Sequence, residues 1–172
     1  AEEWLPSTPR HQLLYEALGY VMPIMVHLPM ILGADRTKLS KRHGATAVLE
    51  YQKQGYLPDA LMNFMVLLGW SLDDRTDIIP RGELLRSFTL NRVVASPAIF
   101  NREKLDWFNG VYIRLLPAEF LASELLPWLE QGLPSEVERP LNLNYVKQIV
   151  PLIQERLKRL NEASELTSFF FV

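Results

Sequence analysis

The chain has 172 residues, 48% of them hydrophobic, with a formal net charge of −2 and no cysteine. Length and apolar content suffice for one domain or two small ones. Disulfides and thiolate metal sites are excluded, and no apolar run approaches the roughly 18 residues of a membrane span. The overall charge does not mark a nucleic-acid binder, so a polyanionic partner would have to be met by locally clustered cations.

The opening Ala1-Glu2-Glu3-Trp4-Leu5-Pro6 does not read as a signal peptide, and without an initiator Met the chain is expected to open within a longer protein. Ser7-Thr8-Pro9 predicts a helix entry with a hydroxyl cap and proline in the first turn; Leu13, Leu14, Ala17 and Leu18 follow at helical spacing and Gly19 ends the element. Residues 21–32 are rich in Val, Ile, Met and Leu but carry Pro23 and Pro29. They predict a short buried strand over residues 26–31 with proline-bent edges.

Residues 33–44 form a loop, after which helices take over. One is predicted over residues 47–54, stopped by Gly55; the next opens at Pro58, closes near Gly69 and is apolar on nearly all sides, which predicts full burial. Residues 71–80 are a polar connection, with Asp73, Asp74 and Asp77 read as a solvated turn, and residues 81–88 a short helix. Asn101 caps a helix through residue 116 whose stripe is Leu105, Phe108, Tyr112 and Leu115, widened by Trp107 and Val111. Trp70 and Trp107 are expected in the core. A further helix runs from Pro117 to Gly132, and residues 133–143 are a loop. From Asn144 the helical pattern is Tyr145, Ile149, Leu152, Ile153, Leu157 and Leu160, with a kink expected at Pro151. Phe169-Phe170-Phe171 is read as the start of packing against residues outside this sequence.

The most informative stretch is Arg36-Thr37-Lys38-Leu39-Ser40-Lys41-Arg42-His43-Gly44, in which four of the first seven residues are Lys or Arg. A solvated basic loop is the bland explanation. Two features favour chemistry. The loop follows a predicted strand, and ligands of open α/β folds sit beyond the carboxyl ends of strands. Lys38 and Lys41 also flank Ser40, with Gly44 freeing the backbone behind. Such a loop can close over a polyphosphate, with lysines as point charges and a hydroxyl as donor. It does not match the Walker A pattern. His11, His27 and His43 lack metal-ligand spacing, and no metal site is expected from them.

Lys38-Leu39-Ser40-Lys41-Arg42 resembles the KMSKS signature of class I aminoacyl-tRNA synthetases. Its KLSKR form, followed by His-Gly, is similar to bacterial-type glutamyl-tRNA synthetases. Glu2-Glu3-Trp4-Leu5-Pro6-Ser7-Thr8-Pro9, His27-Leu28-Pro29-Met30-Ile31-Leu32, Gly55-Tyr56-Leu57-Pro58, Leu67-Leu68-Gly69-Trp70-Ser71, Ser96-Pro97-Ala98-Ile99-Phe100 and Lys104-Leu105-Asp106-Trp107-Phe108-Asn109-Gly110 continue the resemblance in order. It covers most of residues 2–116 and is looser from residue 117.

The resemblance implies a mostly α chain. Residues 1–44 would be the tail of a Rossmann-like class I catalytic domain with its KMSKS loop. Residues 45–116 would be a stem-contact-fold helical domain, and residues 117–172 the first part of an α-helical anticodon-binding region. That helical region argues against the glutaminyl type and against truncated tRNA-modifying relatives. The implied function is that of a cytoplasmic, monomeric glutamate–tRNA ligase, without membrane attachment. It would activate L-glutamate with ATP and magnesium and transfer it to tRNA(Glu). Carried over, Lys41 is the expected phosphate contact on the leaving pyrophosphate, and Lys38 and Ser40 order the loop. Glu3, Trp4, Met30 and Ile31 line the ATP pocket, the last two through backbone groups.

The family's HIGH motif and its glutamate-recognising residues are not found in these residues, so the isolated chain is expected to be a C-terminal fragment inactive by itself. The alternative is a non-catalytic tRNA-binding or protein-interaction module derived from such an enzyme. Lys147, Gln154 and Lys158, with Arg159 nearby, are candidates for phosphate contact on one helix face, against the simpler account of a solvated face.

Overall fold

The computed structural model describes residues 2–40, 42, 44 and 47–171. In chain order the elements are α1 (Thr8–Ala17), β1 (Ile31–Leu32), α2 (Val48–Lys53), α3 (Pro58–Val66), α4 (Arg81–Ser87), β2 (Ala98–Ile99), α5 (Arg102–Leu115), α6 (Ala118–Gly132), α7 (Leu143–Ile153) and α8 (Ala163–Thr167). Short 3-10 turns lie at Glu2–Ser7, Leu90–Arg92, Leu160–Glu162 and Ser168–Phe170. The described chain is thus mostly helical, as expected, and its sheet is a single parallel pair. No helix among the described residues is long and apolar enough to cross a membrane.

The chain packs as two compact units, Ala1–His43 with Val66–Phe100, and Gly44–Met65 with Asn101–Val172. This grouping follows packing rather than chain order, whereas the three consecutive segments read from the sequence are a division by role.

In the first unit, α1 begins where expected but without the hydroxyl cap. The 3-10 turn Glu2–Ser7 runs into it, so Ser7 is already helical (φ −90°, ψ −13°) and makes no side-chain cap. Gly19 ends the helix with φ +70°. The buried strand predicted over residues 26–31 is not formed. β1 comprises only Ile31–Leu32, and the residues before it are largely exposed, Val21 and Ile24 at 93%. The apolar run reads as a strand, but among the described residues it has no pairing partner before Ile31, and Pro23 and Pro29 bring no N–H to a ladder. β1 pairs in parallel with β2, Ile31 opposite Ala98 and Leu32 opposite Ile99. A small core of Trp70, Ile79 and Leu84, joined by Val66, Leu67, Leu72 and Val93, holds residues 66–93. Arg92 stacks over Trp70 at 5.1 Å and donates to the Leu72 carbonyl at 2.6 Å. Asp73 makes the expected polar turn, accepting from the Arg75 and Thr76 amides (2.7 and 2.6 Å) and the Thr76 hydroxyl (2.8 Å). These donors hold its carboxyl below the usual range.

In the second unit, α6 presents Leu121, Leu125 and Leu129 at four-residue spacing against Val146, Ile149, Val150 and Ile153 of α7, with Leu157, Leu160 and Ala163 closing the core. Asn101 caps α5 by accepting from the Lys104 amide at 3.0 Å, and Asn142 caps α7 by accepting from Asn144 at 2.9 Å. α3 buries only Ala60, Asn63 and Phe64; Met65 is exposed, and α3 ends at Val66 rather than near Gly69. Uninterrupted apolarity therefore overstated its burial. On α5 the buried face is Leu105, Phe108, Asn109, Gly110 and Ile113. Leu115 is exposed and Trp107 is 48% exposed, so Trp70 meets the core expectation and Trp107 does not. Pro151 lies in the last turn of α7, which ends two residues later instead of continuing through a kink. Its missing N–H weakens the helix where it stops. Phe170 and Phe171 pack onto the unit's own core. Tyr145 stands edge-on to Phe171 and donates to the Phe170 carbonyl at 2.7 Å, leaving Phe169 exposed at 67%. The aromatic run is therefore largely used within this chain.

Asn109 is the buried joint of this unit. Its Oδ1 accepts from the Leu57 amide (2.7 Å), and its Nδ2 donates to the Gly55 and Lys158 carbonyls (3.3 and 2.6 Å). Gly55 sits at φ +82° and its own carbonyl accepts from the Leu160 amide at 3.0 Å. A Cβ there would lie 2.6 Å from the Asn161 nitrogen and 2.7 Å from that of Leu160. Gly55→Ala should cost at least about 2 kcal/mol, since it adds left-handed strain to a backbone clash; a urea unfolding curve reads the loss. Next to this joint Tyr56 donates to Asp106. Burial first, then that hydrogen bond, push its phenol up to about 12. The shift favours the protonated phenol in the folded chain, so the stability it contributes is full below the ordinary tyrosine range and fades as pH rises toward 12. Tyr56 should ionise late in a spectrophotometric alkaline titration, and Tyr56→Phe should remove that late step.

Candidate functional site: the basic loop after β1

The loop is built from the backbone of β1 outward. Leu32 forms an antiparallel bridge with Lys38, the Leu39 amide donates to the Ile31 carbonyl at 2.9 Å, and the Gly33 amide to the Thr37 carbonyl at 2.8 Å. Residues 33–37 are thus a tight reversal that brings Lys38 back beside the strand it left. Arg36 takes the left-handed conformation (φ +59°) needed for that reversal. Asp35 fastens it, its Oδ1 accepting from the Thr37 amide (3.0 Å) and hydroxyl (2.8 Å), the side-chain-to-backbone turn that Asp favours. Asp35 is not among the residues read from the sequence as functional, although its position two residues before Thr37 is the signal for such a turn.

Lys38, expected to order the loop, is exposed, and its Nζ lies 2.5 Å from Glu3 Oε1. That hydrogen bond is the main cause of the lowering of the Glu3 carboxyl. Arg42 donates to Thr37 Oγ1 at 2.7 Å and stands 3.8 Å from Asp35 Oδ2. Ser40 is half-buried, and Gly44 has φ +103°. Lys41, the expected phosphate contact, and His43 lie outside the described residues.

The residues expected to line a nucleotide pocket fall on the same unit. The Glu2 amide donates to the Leu28 carbonyl at 2.9 Å, and Glu2 Oε1 accepts from the Met30 amide at 3.4 Å. Thr8 Oγ1 and His27 Nε2 are 3.1 Å apart, giving His27 a structural role. Glu3 is thereby carried beside the loop, and Trp4 is 56% exposed. Met30 and Ile31 are half-buried, and the Ile31 carbonyl already accepts from Leu39. Cations, a hydroxyl and an exposed indole suit a polyphosphate with an attached planar base. Among the described residues no three His, Asp or Glu are placed to hold a metal.

The second unit treats its candidate polar face differently. Gln154 Nε2 donates to the carbonyls of Ile113 (2.9 Å), Arg114 (3.4 Å) and Leu116 (2.9 Å), closing the C-terminal end of α5. Arg159 pairs with Glu162 at 2.8 Å and approaches Asp106 at 3.9 Å. Gln154 and Arg159 therefore serve packing, while Lys158 stays exposed and Lys147 half-buried. A cleft of about 400 Å³ in this unit, lined by Val48, Tyr56, Leu57, Leu61 and Trp128 with Glu124 at its edge, is chiefly apolar and has no cation in its lining.

The family model for tRNA synthetases class I (E and Q), catalytic domain, matches residues 1–107. The chain belongs to that family. Over 171 residues it is 54% identical to a glutamate–tRNA ligase of Dehalococcoides mccartyi, covering 99% of this chain and 35% of that protein. A glutamate–tRNA ligase of Herpetosiphon aurantiacus is 47% identical over 174 residues, covering 100% and 35%. The chain thus spans about a third of the length of these relatives. Among solved structures, it superposes on a glutamate tRNA ligase of Elizabethkingia meningosepticum, determined in complex with its amino acid, with a TM-score of 0.80 at 34% identity, covering 100% of this chain and 37% of that one. The glutamate-tRNA synthetase of Elizabethkingia anophelis gives 0.81 at 34% identity, with the same coverage. These likenesses bear out the resemblance to bacterial-type glutamyl-tRNA synthetases.

Asp35→Ala removes the acceptor that fastens the loop reversal while leaving β1 intact. The Thr37 amide should then exchange with solvent at least about fivefold faster, the equivalent of one hydrogen bond of about 1 kcal/mol, in a hydrogen-exchange measurement.

Proposed function

We propose that the chain is the loop-bearing part of a glutamate–tRNA ligase, contributing to ATP-dependent activation of glutamate and its transfer to tRNA(Glu). The observation that carries this reading is the basic loop folded back on the carboxyl end of β1, in a chain that belongs to the class I synthetase family. In this reading the loop is the KMSKS element. Lys41 contacts the pyrophosphate as it leaves, Lys38 and Ser40 order the loop, and Glu3, Trp4, Met30 and Ile31 border the nucleotide. In this reading magnesium would arrive with the nucleotide phosphates.

Negative charge grows on the departing pyrophosphate oxygens, so a lysine that meets them there lowers the barrier more than it tightens substrate binding. Residues 1–44 are then the tail of the catalytic domain, residues 45–116 the stem-contact fold, and residues 117–172 the beginning of an α-helical anticodon-binding region. Lys147 and Lys158 remain the candidates for tRNA phosphate contact on the last segment. The isolated chain would not form glutamyl adenylate, because the residues that recognise glutamate in this reading are supplied from elsewhere in the enzyme.

Lys41→Ala in the complete enzyme should slow glutamate-dependent pyrophosphate exchange by about 30- to 900-fold, the equivalent of about 2–4 kcal/mol of barrier. An unchanged exchange rate would remove Lys41 from the mechanism.

A further inference from the structure

Both described cations that flank the centre of the loop already face an anion of their own unit. Lys38 Nζ is 2.5 Å from Glu3 Oε1, and Arg42 stands against Asp35 and Thr37. The Arg42 partners lie within the loop. The Lys38 partner does not: Glu3 is 35 residues away in sequence. An exposed pair between two free side chains gains little, because it must immobilise both.

Here the stems of both residues are anchored to one short stretch of backbone. Lys38 is bridged to Leu32, and its neighbour Leu39 is bonded to Ile31. Glu3 follows Glu2, whose amide is bonded to Leu28 and whose carboxylate accepts from Met30. Residues 28–32 thus fix where the carboxylate and the ammonium meet, and little further freedom is lost when they do.

The geometry points to Glu3 as a latch on the loop: it holds Lys38 while no phosphate is bound and surrenders it to an incoming polyphosphate. This deepens the proposed function and rests on the loop being a phosphate site. A carboxylate brings one negative charge to the ammonium, whereas pyrophosphate brings several and a larger set of acceptor oxygens. The side chains of Lys38 and Glu3 are 62% and 34% exposed, so the pair is open to solvent and to a competing anion. Such a pair is strong enough to set the resting position of Lys38 and weak enough to be displaced. Glu3 acts here through Lys38, as a positioning residue.

The test uses the complete enzyme of which this chain is proposed to be the loop-bearing part, with inorganic pyrophosphate as the probe. Carbon-detected NMR titration of the Glu3 carboxyl should give a midpoint below the ordinary glutamate range, returning to it in Lys38→Met. In calorimetric titrations at low ionic strength, Glu3→Gln should bind pyrophosphate about two- to fivefold more tightly than the unsubstituted enzyme, the equivalent of the upper part of the range for an exposed pair. The double variant Glu3→Gln/Lys38→Met should bind no more tightly than Lys38→Met alone. A Glu3 midpoint unmoved by Lys38→Met, or a Glu3→Gln affinity equal to or below that of the unsubstituted enzyme, overturns the latch. If Lys38→Met weakens binding while Glu3→Gln changes nothing, the latch fails and the phosphate reading stands. If Lys38→Met binds as the unsubstituted enzyme does, the latch fails and the phosphate reading stands on Lys41; if no form of the enzyme binds pyrophosphate, both fail.

Discussion

β1 is two residues long, yet both of its edges are used. The Leu32 carbonyl accepts from the Phe100 amide at 2.8 Å on the β2 side, and the Ile31 carbonyl accepts from the Leu39 amide at 2.9 Å on the loop side. Everything proposed for the loop depends on this double attachment. A basic loop tethered only by its ends would sample many positions, and bringing a lysine to a fixed point would cost entropy at each encounter. Here the first residues of the loop are strand partners, so the Cα of Lys38 is placed by backbone geometry and only its side chain has to move. The parallel partner comes from residues 98–99, far along the chain, which is why residues 66–100 belong with the first unit.

The second unit is held by a different device. Helix packing along α6 and α7 is ordinary leucine and valine burial, but the turn at residues 55–57 is secured by a buried amide. Asn109 has one acceptor and two donor hydrogens, and it spends them on Leu57, Gly55 and Lys158. Leaving those backbone groups unpaired in the interior would cost more than the bonds themselves contribute. Gln154 does the same at the end of α5 with three carbonyls. Two neutral amides thus close two of the places where helices and turns would otherwise bury orphan polar groups.

These amides mark the limit of what the sequence makes legible. Helix positions follow from periodicity and caps, so α4, α5 and α6 lie close to where the pattern puts them, and Asn101 caps its helix as read. The loop of Lys38 is recognisable because four Lys and Arg residues fall within seven positions. Burial is harder, since it depends on what faces a residue. Trp107 and Phe108 are neighbours of similar hydrophobicity on α5, and one is half-exposed while the other is fully buried. Gln154 has the composition of a solvated helix face and the geometry of a cap, and nothing local tells these apart. Residues 26–30 carry the composition of a strand, but a strand is a relation between segments; without a partner among the described residues the backbone has no ladder to join. Lys41, legible as the centre of the motif, lies outside the described residues, so its role stands on sequence and family alone.

The charge pattern links the opening observation to the site. A net charge of −2 gives no hint of the proposed phosphate site, and the ion pairs of Lys38 and Arg42 supply a physical reason why the average is uninformative. Cations needed for a polyanion must be kept from binding the wrong one and from repelling each other when it is absent. Around this loop, Asp35 and Glu3 set carboxylates against Arg42 and Lys38, so two of its four Lys and Arg residues stand beside a counter-charge, and in the proposed latch Lys38 becomes available by exchange of partners. A phosphate-binding site organised as proposed leaves little trace in composition, because Lys38 and Arg42 travel with counter-charges of their own. The trace it leaves is positional: a carboxylate far away in sequence, anchored to the same strand as the lysine it holds.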